Sequence, residues 1–272
     1  MIPAAFDYAR AESVEHAIQL LSADPEAKIL AGGHSLLPLM KVRFAQPSVL
    51  VDIGRLSDLS YVREDGDRIA IGALTRHHDV ERSDALRELC PIVPYTAGTI
   101  GDPQVRHVGT IGGSVAHADA ASDLPTVLLA LDATMVAQGP GGTRSIPADE
   151  FFVGLFTSAL QPDEVLTEIL VPKTSAGWSY QKFHRRSQDW ALVAVAAVRM
   201  NGGAHVALTN MSDRPLRASA VERALEGGAD PASASASAAE GTAPPSDVFG
   251  SAEYRRELSK VLVRRALEDT MR

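Results

Sequence analysis

The chain has 272 residues, of which 45% are hydrophobic and 22% charged, with a formal net charge of −8. Those values suit one large domain or two modest ones with a self-sufficient core. A single cysteine, Cys90, excludes an intrachain disulfide framework, a multi-cysteine zinc site and an iron–sulfur cluster held by this chain alone, while the acidic balance excludes a broadly basic nucleic-acid surface.

The first residues, Met1-Ile-Pro-Ala-Ala-Phe-Asp-Tyr, have no basic start followed by an apolar run, so a cytoplasmic protein is expected. No stretch approaches the roughly 18–20 apolar residues of a membrane-spanning helix. Ser13 reads as a helix cap, and behind it Val14, Ala17, Ile18 and Leu21 form one apolar stripe. Lys28-Ile-Leu-Ala predicts a short strand running into glycines, and Val49-Leu-Val-Asp-Ile a second. Tyr61-Val-Arg-Glu and Arg68-Ile-Ala-Ile flank Asp65-Gly66, which is hairpin chemistry. Residues 75–132 read as helices and loops, with Asp123 opening a buried helix at its positive end. Residues 134–138 and 143–146, split by Gly139-Pro-Gly-Gly, predict another hairpin.

A boundary is expected near Val171-Pro-Lys-Thr-Ser-Ala-Gly. Three strands are predicted beyond it, over 178–184, 191–200 and 204–211, with Asn201-Gly-Gly as the turn between the last two. The densest apolar run, 190–198, reads as buried strand. Helices are expected at 218–225 and 253–267, the second with Tyr254, Leu258, Val261 and Leu262 at helical spacing. The Ala/Ser/Pro-rich stretch 229–246 suits either a linker or a short surface helix over 232–240.

Two glycine loops carry the chemistry. Ala31-Gly-Gly-His-Ser-Leu-Leu-Pro follows the short strand, and Gly109-Thr-Ile-Gly-Gly-Ser-Val-Ala comes some eighty residues later. Paired glycines let backbone amides approach a diphosphate, and each pair has a hydroxyl residue beside it. Taken singly, a Gly-Gly pair is most often a turn. Neither a P-loop nor a Rossmann glycine pattern is present. Gly33-His-Ser-Leu-Leu fails the nucleophile-elbow pattern, because Leu37 stands where glycine is needed. His77-His78 and His117-Ala-Asp119 lack a third metal ligand at usable spacing, so no metal site is expected.

In order, these segments resemble the FAD-binding medium subunits of molybdenum hydroxylases. The resemblance rests on Ala31-Gly-Gly-His-Ser-Leu-Leu-Pro-Leu-Met-Lys-Val-Arg, Ile100-Gly-Asp-Pro-Gln-Val-Arg-His-Val-Gly-Thr-Ile-Gly-Gly-Ser, Ala121-Ser-Asp-Leu-Pro, Asp149-Glu-Phe-Phe-Val-Gly and Tyr180-Gln-Lys-Phe, and it spans nearly the whole chain. His34 in Gly-Gly-His-Ser is similar to the carbon monoxide dehydrogenase branch, where other relatives have Gln; aldehyde, nicotine, quinoline and xanthine types are the alternatives. The fold implied is α+β: a two-part FAD-binding domain of the PCMH, or vanillyl-alcohol-oxidase, type (1–57 and 58–173) and a C-terminal domain of antiparallel sheet and helices (174–272).

The resemblance also implies roles. Lys28, Leu30, Ala31, Gly32, Gly33, His34, Ser35 and Leu36 would wrap the FAD diphosphate, and Thr110, Gly112, Gly113 and Ser114 would close on it. His78 would lie near the first loop. Ile100, with Gly101 beside it, would lie against the flavin or its linker, Asp123 would accept from a ribityl or ribose hydroxyl, and Lys182 would approach the ring. At Gly101 relatives more often have Ala, a change expected to cost nothing. At Trp190 they have Tyr or an aliphatic residue; Trp190 either stacks on the ring or simply begins the buried strand. No catalytic acid or base is implied on this chain. Electrons would pass from a large molybdopterin subunit, with or without copper, through two 2Fe-2S clusters of a small subunit to FAD and on to a quinone or other acceptor. The assembly implied is a dimer of heterotrimers, in the cytoplasm and with or without peripheral attachment to the inner membrane face. An autonomous FAD oxidoreductase and a scaffold that has lost its flavin are the rival readings.

Overall fold

Three small β-layers, rather than one large sheet, organise the chain in a computed structural model that describes residues 2–174, 177–200 and 203–271. The first layer is parallel, in the order β1 (Asp7–Arg10), β3 (Val49–Asp52), β2 (Lys28–Leu30). Helix α1 (Val14–Ala23) packs on it through Ala17, Ile18 and Leu21, and Ser13 caps it by accepting from His16 N. Helix α2 (Leu36–Lys41) follows the first glycine loop.

The second layer is antiparallel and five-stranded: β4 (Val62–Asp65), β5 (Arg68–Gly72), β10 (Val165–Pro172), β6 (Thr134–Gly139), β7 (Gly142–Pro147). Between β5 and β6 the chain forms α3 (His77–Arg82), α4 (Asp84–Leu89), α5 (Ile92–Gly98), α6 (Pro103–Arg106), α7 (Ile111–His117) and α8 (Asp123–Ala130). After β7 come α9 (Ala148–Phe151) and the two-stranded pair β8 (Phe152–Gly154) and β9 (Thr157–Ser158).

The third layer is the antiparallel sheet β11 (Trp178–Phe183), β12 (Val193–Met200), β13 (Gly203–Thr209), β14 (Leu216–Arg217). Residues 175, 176, 201 and 202, which include the expected turn pair Asn201-Gly202, lie outside the described residues. Strand β12 is buried on both faces: Ala194, Ala196 and Val198 join the core around α5 and α8, while Val193, Val195 and Ala197 join the core under the C-terminal helices. Every residue of α8 is buried, because this helix packs between the third layer and helices α5 and α7. Helices α10 (Ser219–Glu226), α11 (Pro231–Ser235) and α12 (Ala252–Thr270) cover the outer face.

One open alternative is decided, for the helix, and two expectations change here. Residues 231–239 are helical, continuing α11 into a 3₁₀ turn, with Ala234 and Ala238 buried against the third layer's core; small side chains allow that close packing. The buried face of α12 is not the 254/258/261/262 stripe. Tyr254 and Val261 are exposed, whereas Arg255, Ser259, Leu262, Val263, Ala266, Leu267 and Thr270 face inward. A buried arginine shifts the face: Arg255 Nη1 donates to Leu192 O at 2.5 Å and Nη2 pairs with Asp247 at 2.7 Å. Finally, β12 starts at Val193, so Trp190 precedes the strand and is 62% exposed.

Candidate functional site

Where the three layers meet, a cleft of about 690 Å³ opens, within the size range of cofactor sites. Its floor is set by two close approaches that only glycine allows. A Cβ on Gly32 would overlap Val108 O and stand 2.9 Å from Gly109 Cα, so the first loop rests directly on the second. Gly33 takes a left-handed φ of +75° and turns the chain into α2.

The two loops differ in what they offer. In the second, Ile111 N donates to Thr75 O, Gly112 N to Ala73 O, Gly113 N to Thr110 Oγ1 and Ser114 N to Thr110 O. The first two of those amides stitch the loop to the segment that follows β5, and the other two are spent within the loop on Thr110. In the first loop the amides of Gly32, Gly33 and His34 donate to no group among the described residues. The first loop is therefore the anion cradle, and the second is a rigid wall that presents side chains.

All the predicted site residues line the cleft except two. Gly112 is buried beneath the wall, where a Cβ would come within 2.6 Å of Ala73 O, so its glycine serves the packing of α7 on β5. His78 turns away from the cleft and stacks on His107 with centroids 3.9 Å apart. Its neighbour His77 lines the cleft instead. The reason is helical phase: α3 begins at His77, whose N–H donates to Gly109 O, and the next side chain points some 100° away. His77 is buried, its Nδ1 has no partner, and burial lowers its pKa to about 4, helped by Arg106, His34 and Arg76.

At the far end of the cleft, Asp123 accepts from Tyr180 Oη at 2.5 Å and from Lys182 Nζ at 2.9 Å; Lys182 also donates to Thr99 O at 3.1 Å. Burial pushes the Asp123 carboxyl above its usual range, against the pull of Lys182 and the Tyr180 hydroxyl, and holds the Tyr180 phenol well above its own. Both carboxylate oxygens keep spare lone pairs, so Asp123 can still accept from a ligand hydroxyl. Ile100 lies at this end, together with the exposed ring of Trp190. Gly101 has a φ of +40°, a left-handed backbone that glycine adopts without penalty.

Sequence reasoning missed His77, His117, Phe156, Gln188 and Asp189 as lining residues, and Tyr180 as the support of Asp123. Asp123 and Tyr180 are 57 positions apart, and nothing local to either forecasts their meeting. Among the described residues no group of three or more His, Cys, Asp or Glu could hold a metal ion. Cys90 is fully buried, and its thiol is pushed up to about 12.

An unspent amide cradle, a loop-on-loop contact that a Cβ on Gly32 would break and a buried carboxylate able to accept from a hydroxyl together fit an elongated dinucleotide such as FAD. The comparisons agree. Residues 4–174 match the family described as the FAD binding domain in molybdopterin dehydrogenase, and residues 178–270 the CO dehydrogenase flavoprotein C-terminal domain. The chain is 40% identical to the carbon monoxide dehydrogenase medium chain of Hydrogenophaga pseudoflava, over 98% of this chain and 97% of that one. It is also 40% identical to the glyceraldehyde dehydrogenase medium chain of Sulfolobus acidocaldarius, over 99% of both. A solved structure of the H. pseudoflava carbon monoxide dehydrogenase, lacking the Mo-pyranopterin moiety of its molybdenum cofactor, superposes with a TM-score of 0.96 at 42% identity and covers 100% of this chain and 99% of that one.

Proposed function

The chain belongs to the FAD-binding medium subunits of the molybdenum hydroxylases, and we propose that it serves as the flavin relay of a carbon monoxide dehydrogenase. FAD, when bound, supplies the ability to take electrons singly from iron–sulfur centres and hand them on in pairs. The observation that carries the reading is the cleft itself, with three unspent amides at its middle and the Asp123–Lys182 pair at its end.

Each residue has a task in that reading. Gly32, Gly33 and His34 donate their amides to the diphosphate, and the Ser114 hydroxyl and the Lys28 ammonium add to them from the walls. Asp123 takes a ribityl or ribose hydroxyl. Ile100 and Trp190 flank the ring, and the buried Lys182–Asp123 pair keeps a fixed dipole beside it with no net charge. No side chain here needs to act as an acid or base. The division at 57/58 and 173/174 follows the same logic: the first segment carries the cradle, the second the wall, and the third contributes Tyr180, Lys182 and Trp190.

Carbon monoxide is favoured over the other substrates of the family by His34 in the Gly-Gly-His-Ser loop. Equal identity to a glyceraldehyde enzyme makes the substrate a question for the large subunit. A small iron–sulfur subunit and a large molybdopterin subunit complete the unit, arranged as a dimer of heterotrimers. Its expected place is the cytoplasm, peripheral to the membrane that holds a quinone acceptor. Among the described residues no helix is long and apolar enough to cross a membrane.

Two measurements test this. The full chain is expected to purify with, or to take up, one FAD; a chain that binds none overturns the reading. The assembled complex, given carbon monoxide, an aldehyde or an N-heterocycle without oxygen, is expected to bleach its flavin with carbon monoxide.

A further inference from the structure

One segment of the cofactor cleft breaks a local rule of chain conformation. Strands β8 and β9 are joined by the two-residue turn Leu155-Phe156, with Gly154 paired to Thr157 across it. Phe156 has a left-handed φ of +51°, a turn backbone at which glycine, asparagine or aspartate is expected. Among the described non-glycine residues with such a backbone it is the one aromatic. For so bulky a side chain that conformation is strained.

The core does not impose this strain. At the base of the hairpin Phe151 and Phe152 are buried and meet edge to face at 5.2 Å. Arg214 fastens the same base by donating to Phe152 O and Val153 O. The tip is different: Phe156 stays 42% exposed. Its ring leans on His117 with centroids 5.0 Å apart, and both residues line the cofactor cleft. His117 stands one turn along α7 from Ser114, so the pair prolongs the wall presented by the second glycine loop. Burial holds the His117 imidazole below its ordinary range, against the pull of Asp119, which leaves an uncharged two-ring surface at neutral pH.

The surroundings say which part of a ligand meets that surface. Leu160 and Pro162, just beyond Phe156 in the chain, join Pro25 and Ala27 in lining the cleft. None of these, nor Phe156 or His117, lines the smaller cavity bounded by Lys182, Gln188 and Asp189 at the Trp190 end. The carboxylate on this side, Glu164, is already held by Arg144 through two hydrogen bonds of 2.7 and 2.8 Å. What remains is flat, apolar and aromatic.

We propose that Phe156 is a positioning residue for the nucleotide half of the cofactor: the strained turn holds its ring, backed by His117, against the adenosine end of the bound dinucleotide. The proposal rests on the FAD reading above, in which the flavin ring takes the Ile100/Trp190 end. A purine offers a π face for the phenyl ring, and covering a ring that otherwise stands half in water offsets the strain of the turn.

The test uses the full chain, freed of cofactor, with FAD and ADP as probes; ADP has the nucleotide half without the flavin. In Phe156→Ala and Phe156→Gly, FAD Kd from equilibrium dialysis is expected to rise about tenfold, the worth of one lost stacked ring. The Ki of ADP as a competitor rises by the same factor, and Phe156→Tyr restores both values. Thermal midpoints of the cofactor-free chains follow another order, with Phe156→Gly above Phe156→Ala, because glycine takes the left-handed turn freely. Equal affinity at unequal stability is what a merely structural Phe156 would not give. The proposal is overturned by an unchanged FAD Kd in both variants, by affinities that track the midpoints, or by an ADP Ki that stays put while FAD weakens. ADP that fails to compete in wild type overturns it as well. A wild-type chain that takes up no FAD instead overturns the cofactor reading, and the role of Phe156 with it.

Discussion

At His77 a single proton reports on the whole glycine floor. Its imidazole is buried beside Gly109, and its pKa falls from the ordinary 6.5 to about 4. The folded chain therefore refuses a proton that the unfolded chain accepts. Stability is fully present above pH 6.5 and drains away as pH falls toward 4, by about 3 kcal/mol in total. Urea titrations at a series of pH values are expected to show that loss in wild type and a flatter profile in His77→Gln; parallel profiles would refute it. Gly32 is the steric counterpart. Gly32→Ala forces the two loops apart, and its FAD affinity, measured by flavin fluorescence, is expected to fall at least about a hundredfold, as for two or more lost charge-assisted hydrogen bonds. Trp190 reports on the other end. Bound FAD is expected to quench indole emission in wild type but much less in Trp190→Leu, because the remaining Trp178 is placed against Tyr95, outside the cofactor cleft.

Among the elements, α12 separates what local pattern reveals from what it hides. Its existence was readable from spacing, but its orientation was not, since a buried Arg255 is the last residue an apolar stripe would nominate. Substitution inverts the expectation: Tyr254→Ser is expected to change unfolding free energy by less than about 0.5 kcal/mol, and Arg255→Met to lower it by about 1–3 kcal/mol through two lost hydrogen bonds, one of them to a carboxylate. Chemical denaturation distinguishes the two outcomes. The hairpins at Asp65-Gly66 and Gly139–Gly142 and the Ser13 cap were legible because their causes are local: turn residues and a hydroxyl. Both glycine loops were legible for the same reason. The division of labour between them was not, because it depends on Ala73, Thr75 and Thr110 having consumed the second loop's amides. Nor was the inward turn of His77, which depends on where α3 begins.

For the molecule as a whole, Cys90 carries a consequence. One fully buried thiol, pushed up to about 12, cannot ligate a cluster, so in the proposed relay the metal centres that reduce the flavin are held by partner subunits. The isolated FAD-loaded chain is expected to remain oxidised under carbon monoxide, and anaerobic addition of the iron–sulfur and molybdopterin subunits to bleach it; reduction of the chain alone would overturn that dependence. The Tyr180–Asp123–Lys182 contact joins residues on either side of the stretch between β10 and β11. The cofactor cleft is thus a seam, and occupancy and cohesion are linked equilibria: at a hundredfold excess over Kd a ligand that binds only the joined form adds about 2.7 kcal/mol to it. In evolutionary terms the two halves are tethered as a single heritable unit, because a recombination event at the seam that brought in a C-terminal half without a Tyr-x-Lys pair would strand a buried carboxylate.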